Sequence, residues 1–515
     1  MLLGDIPRRN ARLYPDKIAV IDGENEFTFG QFNERVNRLA NSIIDFGLDS
    51  GDRFAVLSRN NFQFVELYFA AAKAGRPIVP VNYRLKEGEL SHVLNDSEAR
   101  ILFFEKDFYP LIEKLEADTV EHLVCLDGDL QNSENYENLI SKGSKEEPNE
   151  EIDENDVAIL GYTGGTTGLP KGVLTTHRNV ITSCYNLCVE NELKMAPGKS
   201  FLNAPPVFHA GDAMGMFAFS FIGGTNVMMN FTSVESPLIN IQKYRVTHAL
   251  LVPTMIIWML QLPNLDSYDL SSLEVLFYGT APMPLEALKK ALKVFKCNFC
   301  QVYGSAETFV PISILKPSDH VVEGSEEEMK RMLSAGREVQ GVEVKIVDDN
   351  DNEVEKGEVG EIIVKGKNVM KGYWKKPELT KEALKNGWYH TGDLGRRDAA
   401  NYIYIVDRKK DMIISGGENI YPIEIENVLF KHPAVADAAV IGVPDEEWGE
   451  SVKAFVVKKG EVTEEELIEF CGKYLAGYKK PKSIEFVEAL PKSSVGKVQK
   501  HVMREPYWKG RERKV

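Results

Sequence analysis

Residues 161–179 read GYTGGTTGLPKGVLTTHRN. Glycines let backbone N–H groups approach the oxygens of an anion, threonine hydroxyls add donors, and a lysine adds a cation. All three occur together here, so the stretch is a candidate phosphate cradle. It does not fit the Walker A pattern, GxxxxGK[ST] followed by a helix. Leu169 and Pro170 separate Gly168 from Lys171, Gly172 stands where Ser or Thr would hold magnesium, and VLTT reads as a strand.

Two cysteine pairs, Cys184/Cys188 and Cys297/Cys300, also invite a chemical reading. The second lies in KCNFCQVYG, which reads as a strand. Positions three apart on a strand point to opposite faces, so this pair is poorly placed to chelate one metal. We expect packed thiols and no metal or redox centre. Six cysteines in 515 residues do not make a disulfide framework.

The elements that must hold the 161–179 stretch alternate in type. Phe32, Val36, Leu39 and Ile43 recur at helical spacing, with Gly47 as a stop. FAVLS (54–58) reads as a buried strand, FVELYFAAAKAG as a helix and PIVPVNY as a strand. Such alternation predicts a largely parallel sheet covered by helices. The acidic segment 144–156 reads as a solvated connection into the phosphate stretch. A boundary falls near VDRKKD (406–411). Beyond it, ENVLFKH and 463–475 read as helices, and VADAAVIGV, SVKAFVVKK and SIEFVEAL as strands. This is the pattern of a small α+β domain.

A net charge of −16 excludes a general nucleic-acid binder, so any anionic ligand must be held by local groups. MLLGDIPRRN lacks a signal-peptide core, and the longest apolar stretch, near Ala213 to Ile222, is too short to span a bilayer. We expect a cytoplasmic protein, with a homodimer left open.

YTGGTTGLPKG resembles the signature loop of the adenylate-forming superfamily, which holds acyl- and aryl-CoA synthetases, peptide-synthetase adenylation domains and beetle luciferases. YGSAET (303–308), YHTGDL (389–394), DRKKDMIISGGENIYPIEIE (407–426) and PKSSVGKVQK (491–500) are similar to the family's later motifs, in the family's order. KAGRPIVPVNYRLKEGELSHVLNDSEA (73–99) resembles its early segment. The resemblance implies an α/β fold. A large N-terminal domain of helix-covered sheets with a β-barrel-like subdomain (1–407) would be joined by a hinge (408–411) to a small, mobile α+β C-terminal domain (412–515). It also implies two chemical steps. A carboxylate attacks the α-phosphate of ATP, giving an acyl-adenylate and pyrophosphate; a thiol then displaces AMP. ATP, Mg2+ and CoA follow as cofactor and co-substrates.

By this similarity Thr163, Gly164, Gly165, Thr166, Thr167, Gly168 and Lys171 hold the β- and γ-phosphates. Tyr303 stacks on adenine in a slot lined by Gly279, Thr280, Ala281 and Pro282, with Gly304, Ser305, Ala306 and Thr308 beside it. Glu307 binds magnesium, and Asp393 and Arg408 reach the ribose. The family usually has threonine before the glutamate, contacting the α-phosphate. With Ala306 there, Ser305 or Thr308 compensates, or the contact is absent. Lys497 matches the late catalytic lysine that bridges carboxylate and α-phosphate. Gly416 and Gly417 match the thiol channel, and Lys410 the hinge. Lys497 and Gly416 serve one reaction centre at different steps, which implies rotation of the small domain. Tyr478 and Lys480, in YKKPK, resemble a CoA-adenine site.

PPVFHAGDAM (205–214) resembles the segment beside the acyl pocket. His209 replaces the aspartate with which amino-acid-activating relatives pair an ammonium, so amino acids are disfavoured, and His209 gates the thiol channel. Phe208, His209, Met214, Gly279, Gly304 and Phe309 are the pocket candidates. They suit a fatty, cyclic or aromatic acid better than acetate. The chain stops soon after the lysine motif, which leads us to expect free CoA as acceptor. The alternatives are a ligase loading a separate carrier protein and a non-catalytic acyl-nucleotide binder.

Overall fold

The computed structural model describes residues 1–163, 170–281, 283–492 and 498–509. Among them, two large mixed sheets of nine and eight strands sit among helices, followed by two five-stranded sheets. The expected α/β class is observed.

The helices form where the sequence pattern asks for them. Phe29–Asp45 opens with a reciprocal cap, Thr28 accepting from the backbone N–H of Gln31 while the Gln31 side chain accepts from Thr28. Phe32, Val36, Leu39 and Ile43 are buried along one face. Each buried side chain of this size contributes roughly 1.5–3 kcal/mol. Phe62–Ala74 is capped by Asn61 and ended by Gly75 in the left-handed region at φ 67°. Its apolar residues, interrupted by Gln63, Glu66 and Lys73, bury it on nearly all sides.

That burial traps Lys73, and the trapped ammonium reshapes the acidic segment 144–156. Lys73 Nζ donates to Asn33 Oδ1 at 2.8 Å, Asn37 Oδ1 at 2.6 Å and Glu147 Oε2 at 2.7 Å. Burial pulls its pKa down to about 8. Arg76 pairs with Glu150, and Asn41 donates to the carbonyls of Ser144 and Glu146. The segment forms no helix or strand and is mostly exposed, the solvated connection expected of it, and these contacts strap it to the body. A buried cation must find partners, and the acidic run supplies them.

The strands that frame the site are neighbours in two sheets. Val157–Thr163 and Lys171–Thr176 are antiparallel, and the far edge of Lys171–Thr176 takes the short strand Gly372–Tyr373. Val275–Gly279 and Asn298–Tyr303 run parallel in the nine-stranded sheet. The barrel-like subdomain expected from the resemblance corresponds to a five-stranded antiparallel sheet that includes Gly360–Gly366, Trp388–Arg397 and Ile403–Arg408. The last sheet, with Val435–Asp445 and Gly449–Lys458 at its centre, packs on its own cluster of Ile413, Ile425, Leu429, Val440, Val456 and Leu467.

Three elements end earlier than their patterns suggested. The helix read from ENVLFKH is Pro422–Leu429, because Pro433 disfavours helical backbone at His432. The helix expected over 463–475 is Glu464–Gly472, and the strand in SIEFVEAL is Ser483–Phe486. Among the described residues, no helix is long and apolar enough to cross a membrane.

Candidate active site

Thr163 and Lys171 are register partners, so strand pairing brings the two ends of the phosphate stretch together. Residues Gly164, Gly165, Thr166, Thr167 and Gly168 lie outside the described residues, as do Pro282 and Lys497.

Lys171 Nζ stands 4.8 Å from the ring centroid of Tyr373, on the neighbouring strand. The Tyr373 hydroxyl donates to Glu307 Oε1 at 2.9 Å. Glu307 sits in the 3-10 turn Ala306–Thr308, and the backbone N–H of Met370 donates to its carbonyl at 2.7 Å. Asn368 Nδ2 braces the same turn from below, donating to the carbonyls of Thr308 and Pro311. The segment 368–373 therefore fixes both the lysine and the glutamate. Burial and the Glu307 charge push the Tyr373 phenol well above its ordinary range, so it stays a donor.

A second cluster gathers on Asp393. Tyr303 ends its strand and donates from its hydroxyl to Asp393 Oδ2 at 2.7 Å. Arg408 Nε meets Asp393 Oδ1 at 2.7 Å, and the two residues are register partners across Trp388–Arg397 and Ile403–Arg408. The backbone N–H of Asp393 donates to Thr391 Oγ1, whose hydroxyl donates to the carbonyl of Ile362. Asp393 raises the Arg408 pKa, and burial, reinforced by Asp393, raises that of Tyr303. The carboxylate thus lies between the Arg408 guanidinium and the Tyr303 phenol.

The slot expected to take adenine is tight at its glycines. A Cβ on Gly279 would lie 2.2 Å from the carbonyl oxygen of Val302, and one on Gly304 would lie 3.0 Å from Val310 Cα. Thr280 adopts φ 67°, and Phe309 and Val310 both adopt φ 42°. For a β-branched residue such as Val310 this is strained backbone, held by the N–H of Val310 donating to the Ser305 carbonyl and that of Ile312 to the Tyr303 carbonyl. The Thr308 hydroxyl is buried and donates to the Ser305 carbonyl. Ser305 Oγ is buried, within reach of the Tyr389 hydroxyl.

His209 is the N-cap of Ala210–Ile222, its ring tilted against Phe208 at 4.3 Å. Burial, aided by the positive Arg84, lowers its pKa to about 3. Phe208, Met214 and Phe309 are buried. Gly211 faces the Thr280 turn, where a Cβ added to it would lie 3.7 Å from the Thr280 methyl. Lys410 lies in the turn Lys409–Asp411. Gly416 and Gly417 adopt φ 61° and 85°, with the Trp448 ring against Gly416. Tyr478 is 48% exposed and Lys480 half-buried, at a distance along the chain from every other site residue.

Ala281 and Ala306 lie at the turns following Gly279 and Ser305. Sequence reasoning missed Tyr373, Asn368, Thr391 and Trp448. Of these, Thr391 lay within the quoted YHTGDL motif, while no local cue marked the others. Among the described residues there is no cluster of three metal-ligating side chains. A single carboxylate such as Glu307 suits magnesium that takes its other ligands from phosphates and water.

Residues 7–374 match the AMP-binding enzyme family, and 424–497 match the AMP-binding enzyme C-terminal domain. The chain is 38% identical over 506 residues to a feruloyl-CoA synthase of an Amycolatopsis species, covering 98% of each chain. It is 36% identical to the fatty acid–[acyl-carrier-protein] ligase ScoC of Streptomyces coeruleorubidus, covering 98% of this chain and 96% of that one. The crystal structure of the anthranilate CoA ligase AuaEII in complex with anthranoyl-AMP superposes with a TM-score of 0.88 at 26% identity, covering 98% of this chain and 97% of that one. Family, fold and paired clusters agree: the chain belongs to the AMP-binding enzymes and is an AMP-forming acid–thiol ligase.

Proposed function

We propose that the chain activates an apolar fatty, cyclic or aromatic acid with ATP and passes the acyl group to free CoA. The observation that carries this reading is the pair of clusters converging on Asp393 and Glu307, one suited to a nucleoside and the other to its phosphates. Tyr303 offers its ring to adenine, while Asp393 keeps lone pairs for ribose hydroxyls beside Arg408. Lys171, Thr163 and the loop between them take the β- and γ-phosphates. Glu307 would hold magnesium, which supplies charge neutralisation on the phosphates.

In the first step a carboxylate oxygen bonds to the α-phosphorus and the bond to pyrophosphate breaks. Lys497 is the cation for the charge that builds there. With Ala306 unable to donate, Ser305 takes that contact in preference to Thr308, whose hydroxyl is spent on its own turn. In the second step the CoA thiol gives its proton to solvent, its sulfur bonds to the acyl carbon, and the bond from that carbon to the AMP phosphate oxygen breaks. A His209 ring with a pKa near 3 is a poor proton acceptor at neutral pH, so its part is to gate the thiol path. Gly417 leaves room for the pantetheine arm, with Gly416 against the Trp448 ring beside it, and Tyr478 and Lys480 receive the CoA adenine and phosphates. The domains are 1–407 and 412–515, turning about 408–411, in a cytoplasmic enzyme.

The feruloyl-CoA and fatty-acid ligases among the relatives support an apolar acid. The carrier-protein acceptor of the second relative keeps carrier loading as the alternative reading. Lys497→Ala tests the assignment of steps. It should abolish most acid-dependent ATP–pyrophosphate exchange and spare thioester formation from supplied acyl-adenylate; equal loss of both overturns the two-step division of labour.

A further inference from the structure

Lys410 is flanked by two side chains that are anchored in different places. Lys409 Nζ reaches back to Asp349 Oδ1 at 2.8 Å and Glu361 Oε2 at 3.4 Å, both around the Gly360–Gly366 strand and the turn before it. Asp411 instead pairs with the guanidinium of Arg504, in the helix Lys500–Trp508. Arg504 Nη1 also donates to the carbonyl of Lys410 itself at 2.9 Å. Both members of the Asp411–Arg504 pair are only 13% exposed.

The same helix is fastened a second time, one turn earlier. Lys500 Nζ meets Glu426 Oε1 at 2.8 Å, and Glu426 also accepts from the backbone N–H of Val440. Asp407 and Asp411 add negative charge around Lys500. Two buried pairs on one short helix are costly to desolvate, and burying them is a poor way merely to stabilise it.

The base of the Lys497 segment is fixed as well. Lys492 bridges Val498, the Gln499 N–H donates to the Pro491 carbonyl at 2.8 Å, and Lys492 Nζ binds Asp437 Oδ2 at 2.6 Å. Only Gln499 separates this base from the Lys500–Trp508 helix. The chain from Val498 to Arg504 has no slack.

We propose that Arg504 is a positioning residue that ties the base of the Lys497 segment to the hinge turn, so that rotation at Lys410 delivers Lys497 to the adenylation centre in register. The inference rests on the roles proposed above for Lys497 and Lys410. A guanidinium suits the task because it can hold the Asp411 carboxylate and the Lys410 carbonyl at once, from a planar fork. Lysine, a single point charge, cannot reproduce both contacts in that geometry.

The test uses the full-length enzyme and the acid that turns over best in a panel. Arg504→Ala and Asp411→Asn should each lower adenylation kcat by about ten- to a hundredfold, the scale of a misplaced reacting group, with the KM for ATP within about twofold. Thioester formation from supplied acyl-adenylate and CoA should stay within about twofold, because Lys497 is not used there. The double variant should be no worse than either single one, and Arg504→Lys should recover part of the loss. Should Arg504→Ala fail to fold, Asp411→Asn and Arg504→Lys carry the test. Unchanged adenylation, or loss of both half-reactions in step with lost folded protein, overturns the proposal. Lys497→Ala in the same assay separates the two readings: intact exchange there sinks the lysine assignment, whereas its loss alongside an unaffected Arg504→Ala sinks only the coupling.

Discussion

Tyr373 donates to Glu307 across 66 positions of sequence, at 2.9 Å, while the face of its ring carries Lys171 Nζ. One side chain thus sets both the carboxylate proposed for magnesium and the cation proposed for the leaving phosphates. Tyr373→Phe keeps the ring and removes the hydroxyl. A hydrogen bond to a charged group contributes about 1.5–3 kcal/mol, so adenylation should fall roughly ten- to a hundredfold. The magnesium concentration for half-maximal exchange should rise, with the KM for the acid unmoved. Tyr373→Leu, losing the ring too, should also raise the KM for ATP. A magnesium titration of pyrophosphate exchange decides; an unshifted midpoint in Tyr373→Phe contradicts the assignment.

Two glycines of the site separate fold from specificity. On Gly279 a Cβ meets the Val302 carbonyl at 2.2 Å, so Gly279→Ala must push apart two paired strands. Overpacking of this kind costs about 1–3 kcal/mol, readable by urea unfolding. On Gly211 the added carbon meets only the Thr280 methyl, at 3.7 Å. Gly211→Ala should be as stable as the parent or slightly more so, as expected for a helical position. It should raise the KM for bulky acids while leaving that for ATP alone. Equal stability loss in both variants contradicts this reading.

Asp212, one turn into Ala210–Ile222, is 1% exposed, and both its oxygens lack a hydrogen-bond partner among the described residues. Burial raises its pKa well above 3.8, so the folded protein keeps its proton where the unfolded chain releases it. Below pH 3.8 both states are protonated and the group has no pH-dependent effect. As pH rises beyond 3.8, stability falls by about 1.4 kcal/mol per unit until the folded-state pKa is passed. Asp212→Asn does not titrate. The stability of the variant relative to the parent should therefore climb with pH across that window, whatever its starting value. A flat difference between pH 5 and 7 would show that Asp212 is ionised in the folded protein.

Periodicity and residue type revealed those parts of the fold whose cues are local. VLTT reads as a strand because its residues are apolar or β-branched, and Lys171–Thr176 is one. Phe32 to Ile43 reads as a helix because its apolar residues fall on one face. Composition read the acidic segment 144–156 as a solvated connection, and it is mostly exposed, but it did not reveal the fastening by Lys73 and Arg76, which each lie 74 positions upstream of the glutamate they hold and which no local rule pairs with it. Tyr373 escaped for the same reason, its partner being 66 residues away. Site assignments such as Asp393 and Arg408 came from motif resemblance; spacing alone does not reveal that strand register sets them opposite each other. Nor does a local rule pair Lys500 with Glu426 or Arg504 with Asp411, although both cations are largely buried in those ion pairs.

The most direct test of the account is product stoichiometry in a panel of fatty, cyclic and aromatic acids, with acetate and amino acids as comparisons, each supplied with ATP, magnesium and CoA. The account predicts AMP, pyrophosphate and acyl-CoA in equal amounts with apolar acids, and little turnover with acetate or amino acids. Pyrophosphate release without a thioester on CoA would contradict CoA as the acceptor, and ADP as product would contradict the adenylation chemistry itself.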